Sequence, residues 1–374
     1  MRVAIVHEWF TTHAGSEKVV EQILQLYPEA DLFSLVDFLA PEQRSFIGHR
    51  PVQTSFLQKL PLASKAFRQY LPLMPLAVEQ FDLSAYDLII SSNHAVAKGV
   101  LTAPHQLHIS YVHTPMRYAW DLQHQYLRQA GLERGIKGGL TRGILHYLRL
   151  WDSTSAHRVD RFVANSRFIA RRIWRTYRRP AQVIYPPVDI QRFNWRRPRE
   201  SFYLTVARFV PYKRVDLIVA AFSQLGLPLV VIGSGPEEKT IRALAGPNVQ
   251  LLGHQPNAVV TDYMERCRGF VFAAEEDFGI TPVEAQAAGA PVIAFGRGGA
   301  AETILPGKTG ILFEQQTVES LVQAVKSFES GMAQWESDRL RQQAETFSIQ
   351  RFRTSFRHCI ERTYADFLQD NPVE

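Results

Sequence analysis

The stretch Gly269–Ala294, GFVFAAEEDFGITPVEAQAAGAPVIA, decides the fold. It starts with a short apolar segment, passes through a loop with the acidic residues Glu275–Asp277, and continues as a helix and a second apolar segment. Short segments that are apolar throughout are typical of strands in parallel sheets, because helices cover both faces of such sheets. The stretch therefore predicts a β-α-β unit with strands at Gly269–Phe272 and Pro291–Ala294.

The same alternation of short apolar and helix-length segments continues in both directions. It predicts further strands at Arg2–Val6, Leu88–Ser91, Leu107–Val112, Arg161–Ala164, Phe202–Val206, Pro228–Ile232 and Val249–Leu252. Repeated β-α alternation predicts an α/β protein with two doubly wound parallel sheets. Ligands of such sheets bind outside the carboxyl ends of the strands, so we expect a cleft between two facing domains.

The length of the chain, 374 residues, exceeds the usual size of one domain. The segment Tyr185–Pro198, YPPVDIQRFNWRRP, is predicted to be a linker, because prolines force extended backbone and remove hydrogen-bond donors. The predicted organisation is an N-terminal domain over 1–186, a linker over 187–200, a C-terminal domain over 201–345 and a last helix over 346–374.

The composition excludes several classes of protein. Apolar residues make up 46% and charged residues 21% of the chain, which is ordinary for a globular protein. Two cysteines, Cys267 and Cys359, cannot form a disulfide framework or a zinc cage, and they fit a reducing compartment. The start, MRVAIVHEWF, is too short for the apolar region of a signal peptide, and no apolar run approaches 18 residues. We therefore expect a cytoplasmic protein.

The positive charge is concentrated in the first half. Residues 1–200 carry 26 Lys and Arg against 16 Asp and Glu, whereas residues 201–374 carry 16 against 20. Cations interleaved with apolar side chains over Thr54–Phe81 and Arg167–Arg179 suit peripheral docking on the anionic inner face of the cytoplasmic membrane. The alternative for Thr54–Phe81 is an ordinary amphipathic helix that covers the sheet. No nucleic-acid partner is expected, because no RNA or DNA motif accompanies the arginines.

The loop before the helix in the opening stretch has two interpretations. Thr281 at the N-cap and Pro282 at the first helical position predict the helix start, and Glu284 would then complete a capping box. The other interpretation is an anion cradle at the helix N-terminus, beside acidic residues that suit hydroxyl groups. The backbone amides of that cradle belong to Phe278, Gly279 and Ile280. A sugar nucleotide offers both the phosphates and the hydroxyls.

The pair Glu276 and Glu284, separated by seven residues, closely resembles the signature of the retaining glycosyltransferases of family 4, which have the GT-B fold. The resemblance implies two Rossmann-like domains that face a cleft, with the C-terminal helix crossing back to the first domain. It also implies that Glu276 contacts hydroxyls of the donor sugar and that Glu284 holds the ribose. The amides of Phe278, Gly279 and Ile280 are implied to reach the sugar and the diphosphate.

The resemblance continues in the loop after the strand Phe202–Val206. The family has an Arg and a Lys five residues apart on the donor diphosphate, and Arg208 and Lys213 match that spacing. These cations would neutralise the charge that develops on the leaving nucleoside diphosphate. Taken alone, exposed basic residues in a loop are usually only solvated.

The segment Leu107–Asp121, LHISYVHTPMRYAWD, holds the candidates from the first domain. The resemblance implies that His113 hydrogen-bonds the donor sugar, whereas a lone histidine at this place is often structural. The form HTPMRYAWD resembles mannosyltransferases that build surface polysaccharides. Candidate acceptor contacts in this segment are Arg117, Tyr118 and Asp121.

Two glycine turns complete the predicted donor site. The family commonly has two adjacent glycines in the first β-α turn, where this chain has only Gly15, with Ser16 as the expected N-cap. Gly233 follows the strand Pro228–Ile232 and opens a helix. Because a third glycine is missing there, the turn is weak support for a dinucleotide site.

The implied function is transfer of a hexose with retained configuration, most simply mannose from GDP-mannose, onto a glycan or polyprenyl-linked glycan in surface polysaccharide biosynthesis. A UDP-hexose such as UDP-glucose is the alternative donor. An epimerase, a phosphorylase and a catalytically inactive partner subunit of the same fold are the remaining alternatives. The sequence has no Asp-x-Asp and no histidine spacing of a zinc motif, so we expect no metal and no cofactor besides the nucleotide sugar.

Overall fold

The computed structural model describes residues 1–331 and 335–370. Contacts divide the chain into two compact units. Unit 1 comprises Met1–Tyr185 and the chain from Arg353 onward, and unit 2 comprises Pro186–Phe352. Residues 371–374 of the last helix predicted over 346–374 lie outside the described residues, as do residues 332–334 of the predicted C-terminal domain.

Unit 1 contains a seven-stranded parallel sheet with the order β3-β2-β1-β4-β5-β6-β7. The strands are β1 (Val3–Phe10), β2 (Asp31–Asp37), β3 (Val52–Thr54), β4 (Leu88–Asn93), β5 (Leu107–Val112), β6 (Arg161–Ala164) and β7 (Ala181–Val183). The helices are α1 (Gly15–Leu26), α2 (Ala63–Ala66), α3 (Met74–Val78), α4 (Gln123–Gln129), α5 (Gly135–Ser155) and α6 (Arg167–Tyr177). Strands β2, β3 and β7 were not predicted, and two of them are three-residue strands at the sheet edges.

Unit 2 contains a six-stranded parallel sheet with the order β10-β9-β8-β11-β12-β13. The strands are β8 (Tyr203–Val206), β9 (Leu229–Ile232), β10 (Val249–Gly253), β11 (Gly269–Phe272), β12 (Val292–Phe295) and β13 (Gly310–Phe313). The helices are α7 (Val215–Leu225), α8 (Glu238–Leu244), α9 (Asn257–Arg266), α10 (Ile280–Ala287), α11 (Ala300–Thr303), α12 (Val318–Ser330) and α13 (Ser337–Glu345). Of these strands, β13 was not predicted.

The central strands are buried on both faces, as their uninterrupted apolar sequence predicts. Every residue of β4, β5, β11 and β12 is buried. The prediction of two doubly wound parallel sheets is confirmed. In each sheet the strand order reverses at one point, between β1 and β4 in unit 1 and between β8 and β11 in unit 2. Such switch points open a crevice at the carboxyl ends of the strands, which is where open α/β sheets bind ligands.

The last helix, α14 (Ile349–Asp370), carries the chain from unit 2 into unit 1. Within unit 1, the guanidinium of Arg353 donates a hydrogen bond to Gln22 of α1 at 2.8 Å. The ring of Phe356 lies 6.0 Å from that of Tyr111 on β5. These contacts anchor the helix on the first sheet.

The segment Thr54–Phe81 does not form one continuous helix, whether at a membrane interface or covering the sheet. The segment folds into short pieces, which include α2, α3 and two 3-10 turns. The prolines Pro61, Pro72 and Pro75 interrupt the pattern, because proline lacks the N–H that a continuous helix needs. Apolar side chains of the segment, Leu57, Phe67 and Met74 among them, lie in the core of unit 1.

The segment predicted as a linker, 187–200, is held on unit 2. The guanidinium of Arg197 pairs with Asp262 at 2.8 Å and with Glu265 at 3.1 Å, both on α9. The backbone N–H of Asn194 donates to the same Glu265 at 2.7 Å. Charged side chains therefore fasten this irregular segment to one unit.

Candidate active site

The switch point of unit 2 brings two of the predicted site residues together. Lys213 lies in the loop after β8 and Glu276 in the loop after β11, and these strands are neighbours in the sheet. The ammonium of Lys213 and the carboxylate of Glu276 form an ion pair. Their side chains are 19% and 18% exposed, so a ligand that enters the crevice can reach both charges.

The position of Lys213 follows from a tight local turn. Pro211–Lys213 forms a single 3-10 turn, and Arg214 then adopts φ of 53° as the N-cap of α7. The ammonium of Lys213 lies 6.0 Å from the centre of the Phe272 ring, at the end of β11. The turn and the ring together direct the lysine towards the loop that carries Glu276.

Arg208 occupies the start of the same loop and is exposed. Within residues 1–331 and 335–370 it forms no ion pair, so its guanidinium is not committed to a carboxylate of this chain. The structure does not bring it into contact with the Lys213–Glu276 pair.

Gly233 holds the Arg208 loop in place by a close backbone approach. Its φ is 147°, and a Cβ atom added there would lie 1.8 Å from the carbonyl oxygen of Ala207. The backbone N–H of Phe209 donates to the carbonyl of Ser234 at 2.8 Å. The role of Gly233 in this structure is therefore to let the loops after β8 and β9 pack against each other.

The loop that carries Glu276 rests on two further glycines. The N–H of Gly299 donates to the carbonyl of Glu276 at 2.7 Å. A Cβ atom on Gly298 would lie 2.5 Å from that same carbonyl oxygen, and one on Gly299 would lie 2.2 Å from the carbonyl oxygen of Asp277. Only glycine fits this approach, which fixes the backbone beneath Glu276.

The helix after this loop starts earlier than predicted. Gly279, with φ of 84°, is the N-cap, and α10 begins at Ile280. The predictions of Thr281 as the N-cap and of a capping box with Glu284 are therefore wrong, because the left-handed glycine turns the chain directly into the helix. The first N–H groups of the helix have no partner within it, which suits an anion. Phe278 is buried, with its ring 5.6 Å from that of Phe347.

Glu284 has a partner that the sequence pattern did not reveal. Its carboxylate is buried and accepts a hydrogen bond from the guanidinium of Arg192 at 2.8 Å. Arg192 lies in the segment predicted as a linker and 92 positions from Glu284, so no local spacing pointed to the pair. The arginine balances the charge of Glu284 and orients its carboxylate.

A second group of polar residues lies at the switch point of unit 1. The imidazole of His7 on β1 is 3.1 Å from the hydroxyl of Ser92 on β4, and that hydroxyl is 2.8 Å from Nε2 of His113 after β5. The other ring nitrogen of His7 is 3.4 Å from the carboxylate of Glu17 on α1. His113 was predicted, whereas Glu17, His7 and Ser92 were missed. The one available signal was the interruption of an apolar strand by His7.

Burial and the contact with His7 shift the pKa values of titratable residues in and beside this group. Burial lowers the pKa of His113 well below 6.5, and the imidazoles of His94 and His7 act in the same direction. Burial also lowers the pKa of His94, to about 3. For Glu17, burial raises the pKa, but the hydrogen bond and the charge of His7 outweigh it and bring the pKa to about 2. At neutral pH His113 and His94 are neutral and Glu17 is a carboxylate.

The first β-α turn differs from the prediction at its cap. Gly15 is the first residue of α1, but the N-cap is Ala14, so the assignment of Ser16 as the N-cap is wrong. Glu17 takes over the capping role, because its second oxygen accepts from the N–H of Ala14 at 3.1 Å and from the hydroxyl of Ser16 at 3.0 Å.

The three acceptor candidates lie on the irregular segment between β5 and α4. Asp121 forms an ion pair with Arg172 of α6, so its carboxylate is already engaged. Burial raises the pKa of Tyr118 well above 10, and the nearby carboxylates of Glu8 and Asp152 add to this shift. Arg117 is half-buried on the same segment.

The described part of the chain contains neither a metal-binding cluster nor a membrane-spanning helix. No group of three or more His, Cys, Asp and Glu side chains within 1–331 and 335–370 is arranged to hold a metal ion. In the same ranges, no helix combines the length and the apolar character that are needed to cross a bilayer.

Two family models match consecutive parts of the chain. The model described as Glycosyltransferase Family 4 matches residues 14–192, and the model described as Glycosyl transferases group 1 matches residues 188–347. The first covers most of the N-terminal part of unit 1, and the second covers nearly all of unit 2.

Curated relatives share part of their length with this chain. The GDP-mannose-dependent alpha-(1-6)-phosphatidylinositol monomannoside mannosyltransferase of Mycobacterium tuberculosis is 32% identical over 171 residues, which cover 37% of this chain and 44% of that protein. D-rhamnosyltransferase WbpZ of Pseudomonas aeruginosa is 28% identical over 207 residues, 50% of this chain and 54% of that protein. The chain thus spans about half the length of the curated relatives it matches.

Solved structures share the fold over nearly the whole chain. HepE from Anabaena in complex with UDP has a TM-score of 0.69 at 17% identity and covers 97% of this chain and 100% of its own. Sucrose-phosphate synthase from Thermosynechococcus elongatus has a TM-score of 0.71 at 16% identity, with 98% and 100% covered. Because the family models match both units and the fold is that of GT-B glycosyltransferases, this chain belongs to the family 4 glycosyltransferases.

Proposed function

We propose that this glycosyltransferase transfers a mannosyl residue from GDP-mannose, with retained anomeric configuration and without a metal ion, onto a glycan or polyprenyl-linked glycan. The observation that carries the proposal is the Lys213–Glu276 ion pair at the switch point of unit 2. A cation and a carboxylate held side by side match the two parts of a sugar nucleotide, its diphosphate and its sugar hydroxyls.

Binding of the donor replaces the contact between Lys213 and Glu276 with contacts to the donor. When the diphosphate binds, Lys213 turns from Glu276 to the phosphate oxygens, and the carboxylate then accepts hydrogen bonds from the sugar. Arg208 adds a second positive charge, and the N-terminus of α10 adds N–H donors at Phe278, Gly279 and Ile280. These groups stabilise the negative charge that grows on the departing diphosphate, which is the step in which catalysis needs them.

Glu284 is proposed to hold the ribose of the donor. A ribose offers hydroxyl donors, and the carboxylate of Glu284, which Arg192 contacts at 2.8 Å, is of the acceptor type that they need. Gly15 and Gly233 are proposed to let backbone approach the donor phosphates. A neutral His113 in unit 1 is proposed to bond a hydroxyl of the sugar that is transferred.

Retention is proposed to follow front-face attack. The acceptor oxygen forms a bond to the anomeric carbon on the side from which the phosphate oxygen leaves, and the acceptor proton passes to that phosphate oxygen. The atoms balance without an enzyme nucleophile, because the diphosphate itself serves as the base. Arg117, Tyr118 and Asp121 are proposed to contact the acceptor.

The choice of donor is supported by the names of the relatives. The mycobacterial relative is described as a GDP-mannose-dependent phosphatidylinositol monomannoside mannosyltransferase. UDP-glucose is the alternative donor, since HepE was solved with UDP and with UDP-glucose.

A panel of GDP-, UDP- and ADP-sugars, with release of the nucleoside diphosphate as the readout, tests this choice. We expect release from GDP-mannose that depends on an acceptor extract. Release from UDP-glucose with none from GDP-mannose would contradict the donor. Interconversion of a UDP-sugar without an acceptor would indicate an epimerase, and binding without release would indicate an inactive subunit.

Membrane docking is proposed to use α5 instead of the segment Thr54–Phe81. Spacings of four, eleven and fourteen residues bring four exposed apolar side chains of α5 onto one face of the helix. These side chains are Ile136, Leu140, Tyr147 and Leu150, with exposed fractions of 93%, 67%, 45% and 57%. The neighbouring cations on and before the helix are Arg134, Lys137 and Arg142, all exposed. An exposed apolar stripe flanked by cations matches an anionic lipid surface.

Co-sedimentation with vesicles tests whether this face of α5 binds anionic lipid. The vesicles are phosphatidylcholine alone or phosphatidylcholine with about 30% phosphatidylglycerol. We expect binding only to the anionic vesicles, and we expect that it falls as salt rises. The variant Leu140→Ser should weaken it, while the control Leu76→Ser, at a side chain 51% exposed on α3, should not. Equal effects of the two variants would contradict the assignment to α5.

A further inference from the structure

Four polar side chains in unit 1 form one continuous row of hydrogen bonds. Glu17 contacts His7 at 3.4 Å, His7 contacts Ser92 at 3.1 Å, and Ser92 contacts His113 at 2.8 Å. Glu17, His7 and Ser92 are buried, with 3%, 0% and 0% of each residue exposed. A buried row of this kind is expensive unless each donor meets an acceptor, so its hydrogen positions are strongly coupled.

The Glu17 carboxylate at one end of the row constrains the direction of its hydrogen bonds. The Glu17 carboxylate can only accept, so the facing Nε2 of His7 must carry a proton. If His7 is neutral, its Nδ1 accepts the hydroxyl proton of Ser92, whose oxygen then accepts from Nε2–H of His113. In that state Nδ1 of His113 has a lone pair.

A charge on His7 reverses the rest of the row. Protonated His7 donates from Nδ1 to the oxygen of Ser92, and the Ser92 hydroxyl then donates to Nε2 of His113. The neutral ring of His113 must then carry its proton on Nδ1. Thus the charge of His7 decides whether Nδ1 of His113 accepts or donates a hydrogen bond.

Nδ1 is the atom of His113 that remains for a ligand. The backbone N–H of His113 donates to the carbonyl of Asn93 at 2.8 Å, and its carbonyl accepts from the side chain of Asn165 at 2.9 Å. With Nε2 on Ser92, both the backbone and one ring nitrogen are fixed. Across residues 1–331 and 335–370, no hydrogen bond is made by Nδ1, and the side chain is only half-buried.

Other titratable or charged groups also face this row. The ring of His94 lies 6.3 Å from that of His113 and 6.1 Å from that of His7. Burial holds the pKa of His94 at about 3, so His94 stays neutral over the working range. The ring centre of Tyr111 lies 5.2 Å from that of His113 in an edge-to-face contact, and burial raises the pKa of Tyr111 well above 10. Arg117 and Arg68 add positive charge near His94.

We propose that Glu17, His7 and Ser92 are positioning residues that fix the tautomer of His113 and thereby the role of its Nδ1 towards a sugar hydroxyl. This inference rests on the proposed function of His113. It assigns no bond making to the three residues, since they act through the imidazole.

The neighbouring serine on β4 offers a matched control. Ser91 is also buried, and its hydroxyl is 2.9 Å from a ring nitrogen of a different histidine, His108. Ser91→Ala and Ser92→Ala therefore each remove one buried hydroxyl and one histidine contact from the same strand. A purely structural role predicts the same outcome for both variants.

The test measures GDP release from GDP-mannose by the full chain. We expect Ser92→Ala to lower kcat on the order of 100-fold with KM nearly unchanged, because a misplaced group slows the chemistry more than binding. Ser91→Ala should keep kcat within about 2-fold of the parent. Ser92→Thr retains the hydroxyl and should restore most of kcat.

A further readout is independent of stability. In 15N spectra of the imidazoles, neutral His113 should favour one tautomer in the parent, and Ser92→Ala and His7→Gln should change the proportions of the two tautomers. Ser91→Ala should leave these proportions unchanged.

The outcomes separate this inference from the proposed function. If His113→Ala keeps full activity, the role of His113 in the proposed function fails. If His113→Ala is inactive but Ser92→Ala behaves as Ser91→Ala, the positioning row fails while the proposed function stands. A His113 tautomer that is indifferent to His7 would also overturn the inference.

Discussion

A lysine–carboxylate ion pair lies in each unit, and the two pairs differ in burial and in hydrogen-bonding capacity. In unit 1, the ammonium of Lys98 lies 2.7 Å from the carboxylate of Asp152, and both side chains are 0% exposed. In unit 2, the Lys213–Glu276 pair is about one-fifth exposed at the switch point. Both are cation–anion contacts, but only the second can exchange its partner for a ligand.

The Lys98–Asp152 pair is saturated by its surroundings. Lys98 also donates to the carbonyl of Asp152 at 2.9 Å and to the hydroxyl of Ser155 at 2.8 Å, so all three of its protons are used. Asp152 accepts from Trp120 at 2.7 Å and from the hydroxyl of Tyr177 at 3.0 Å. A pair with no unused donor and no access for solvent is structural. The comparison teaches that exposure and spare hydrogen-bonding capacity, and not the ion pair itself, distinguish a binding site.

The largest expected effect is on the stability of unit 1. Asp152→Asn leaves the ammonium of Lys98 buried without its counter-charge. We expect a loss of about 3–5 kcal/mol in the free energy of unfolding, the usual result of removing one partner of a buried pair. Urea unfolding followed by tryptophan fluorescence measures it.

The double variant Lys98→Met, Asp152→Leu is the control for this prediction. It removes both charges and should recover part of the lost stability, though Trp120 and Tyr177 then lack an acceptor. A single variant within about 1 kcal/mol of the parent would show that the pair in unit 1 is no more structural than a surface pair.

The next largest effect is on activity and comes from unit 2. Lys213→Ala removes a cation from the leaving diphosphate, and we expect kcat to fall by about 10²–10³-fold, the range found for electrostatic groups in active sites. Because both side chains of this pair are about one-fifth exposed, whereas those of Lys98 and Asp152 are fully buried, the loss in the free energy of unfolding should be smaller than that expected for Asp152→Asn. Nucleotide release and urea unfolding are measured on the same preparation.

Lys239→Ala serves as the matched control for Lys213→Ala. Lys239 is an exposed lysine of α8 in the same unit, so its removal changes the net charge equally. Its activity should equal that of the parent. If both variants lose the same activity, the effect is one of net charge, and the special role of the Lys213–Glu276 pair is lost.

The two pairs also differ in how far the sequence revealed them. Lys213 and Glu276 each follow a recognisable buried strand, and the predicted strand Gly269–Phe272 matches β11 in both bounds. The carboxyl ends of parallel strands share one edge, so the contact could be anticipated once the motif was seen. The two glycines beneath Glu276 became apparent only in the structure, from the close approach of their backbone to the loop.

The structural residues were hidden because their contacts depend on strand order and long-range packing. Lys98 and Asp152 are 54 positions apart, and His7 and Ser92 are 85 apart. His7 meets Ser92 only because β1 lies beside β4, and no periodicity encodes that neighbour. The prediction of one helix over Thr54–Phe81 was wrong because apolar residues with helical spacing do not show where prolines end the helix.

Acid is expected to act on unit 1 before unit 2. Burial lowers the pKa of His108 on β5 to about 4, while Lys98 adds to the shift and the carbonyl of Arg158 opposes it. Above pH 6.5 both the folded and the unfolded chain have this imidazole neutral, so its contribution is complete. As pH falls from 6.5 towards 4 the unfolded chain takes up the proton first, and stability is lost. At pH 5 the loss is about 2 kcal/mol for this group.

Urea unfolding at pH 7 and pH 5 measures this difference, and His108→Gln should reduce it. Unit 2 supplies the contrast, because its histidine within residues 186–352 is His254, which is exposed. Hydrogen exchange, corrected for the intrinsic rate, should therefore show β5 losing protection at pH 5 while β11 keeps it. Equal loss in both strands would contradict the assignment of acid sensitivity to unit 1.

The smallest expected effect belongs to a third ion pair, which completes the series from buried to exposed. On α8 the guanidinium of Arg242 lies 2.8 Å from the carboxylate of Glu238, four residues earlier, with side chains 57% and 38% exposed. Glu238→Gln should cost only about 0.3–0.5 kcal/mol of unfolding free energy, because water screens the charges and two long side chains lose freedom in pairing. A double-mutant cycle with Arg242→Gln isolates the coupling, and it should fade at 1 M salt, where the screening length is about 3 Å. If this coupling were as large as that of Lys98 and Asp152, the strength of an ion pair in this protein would not depend on its burial. Exposure could then no longer be used to distinguish the structural pair of unit 1 from the binding pair of unit 2.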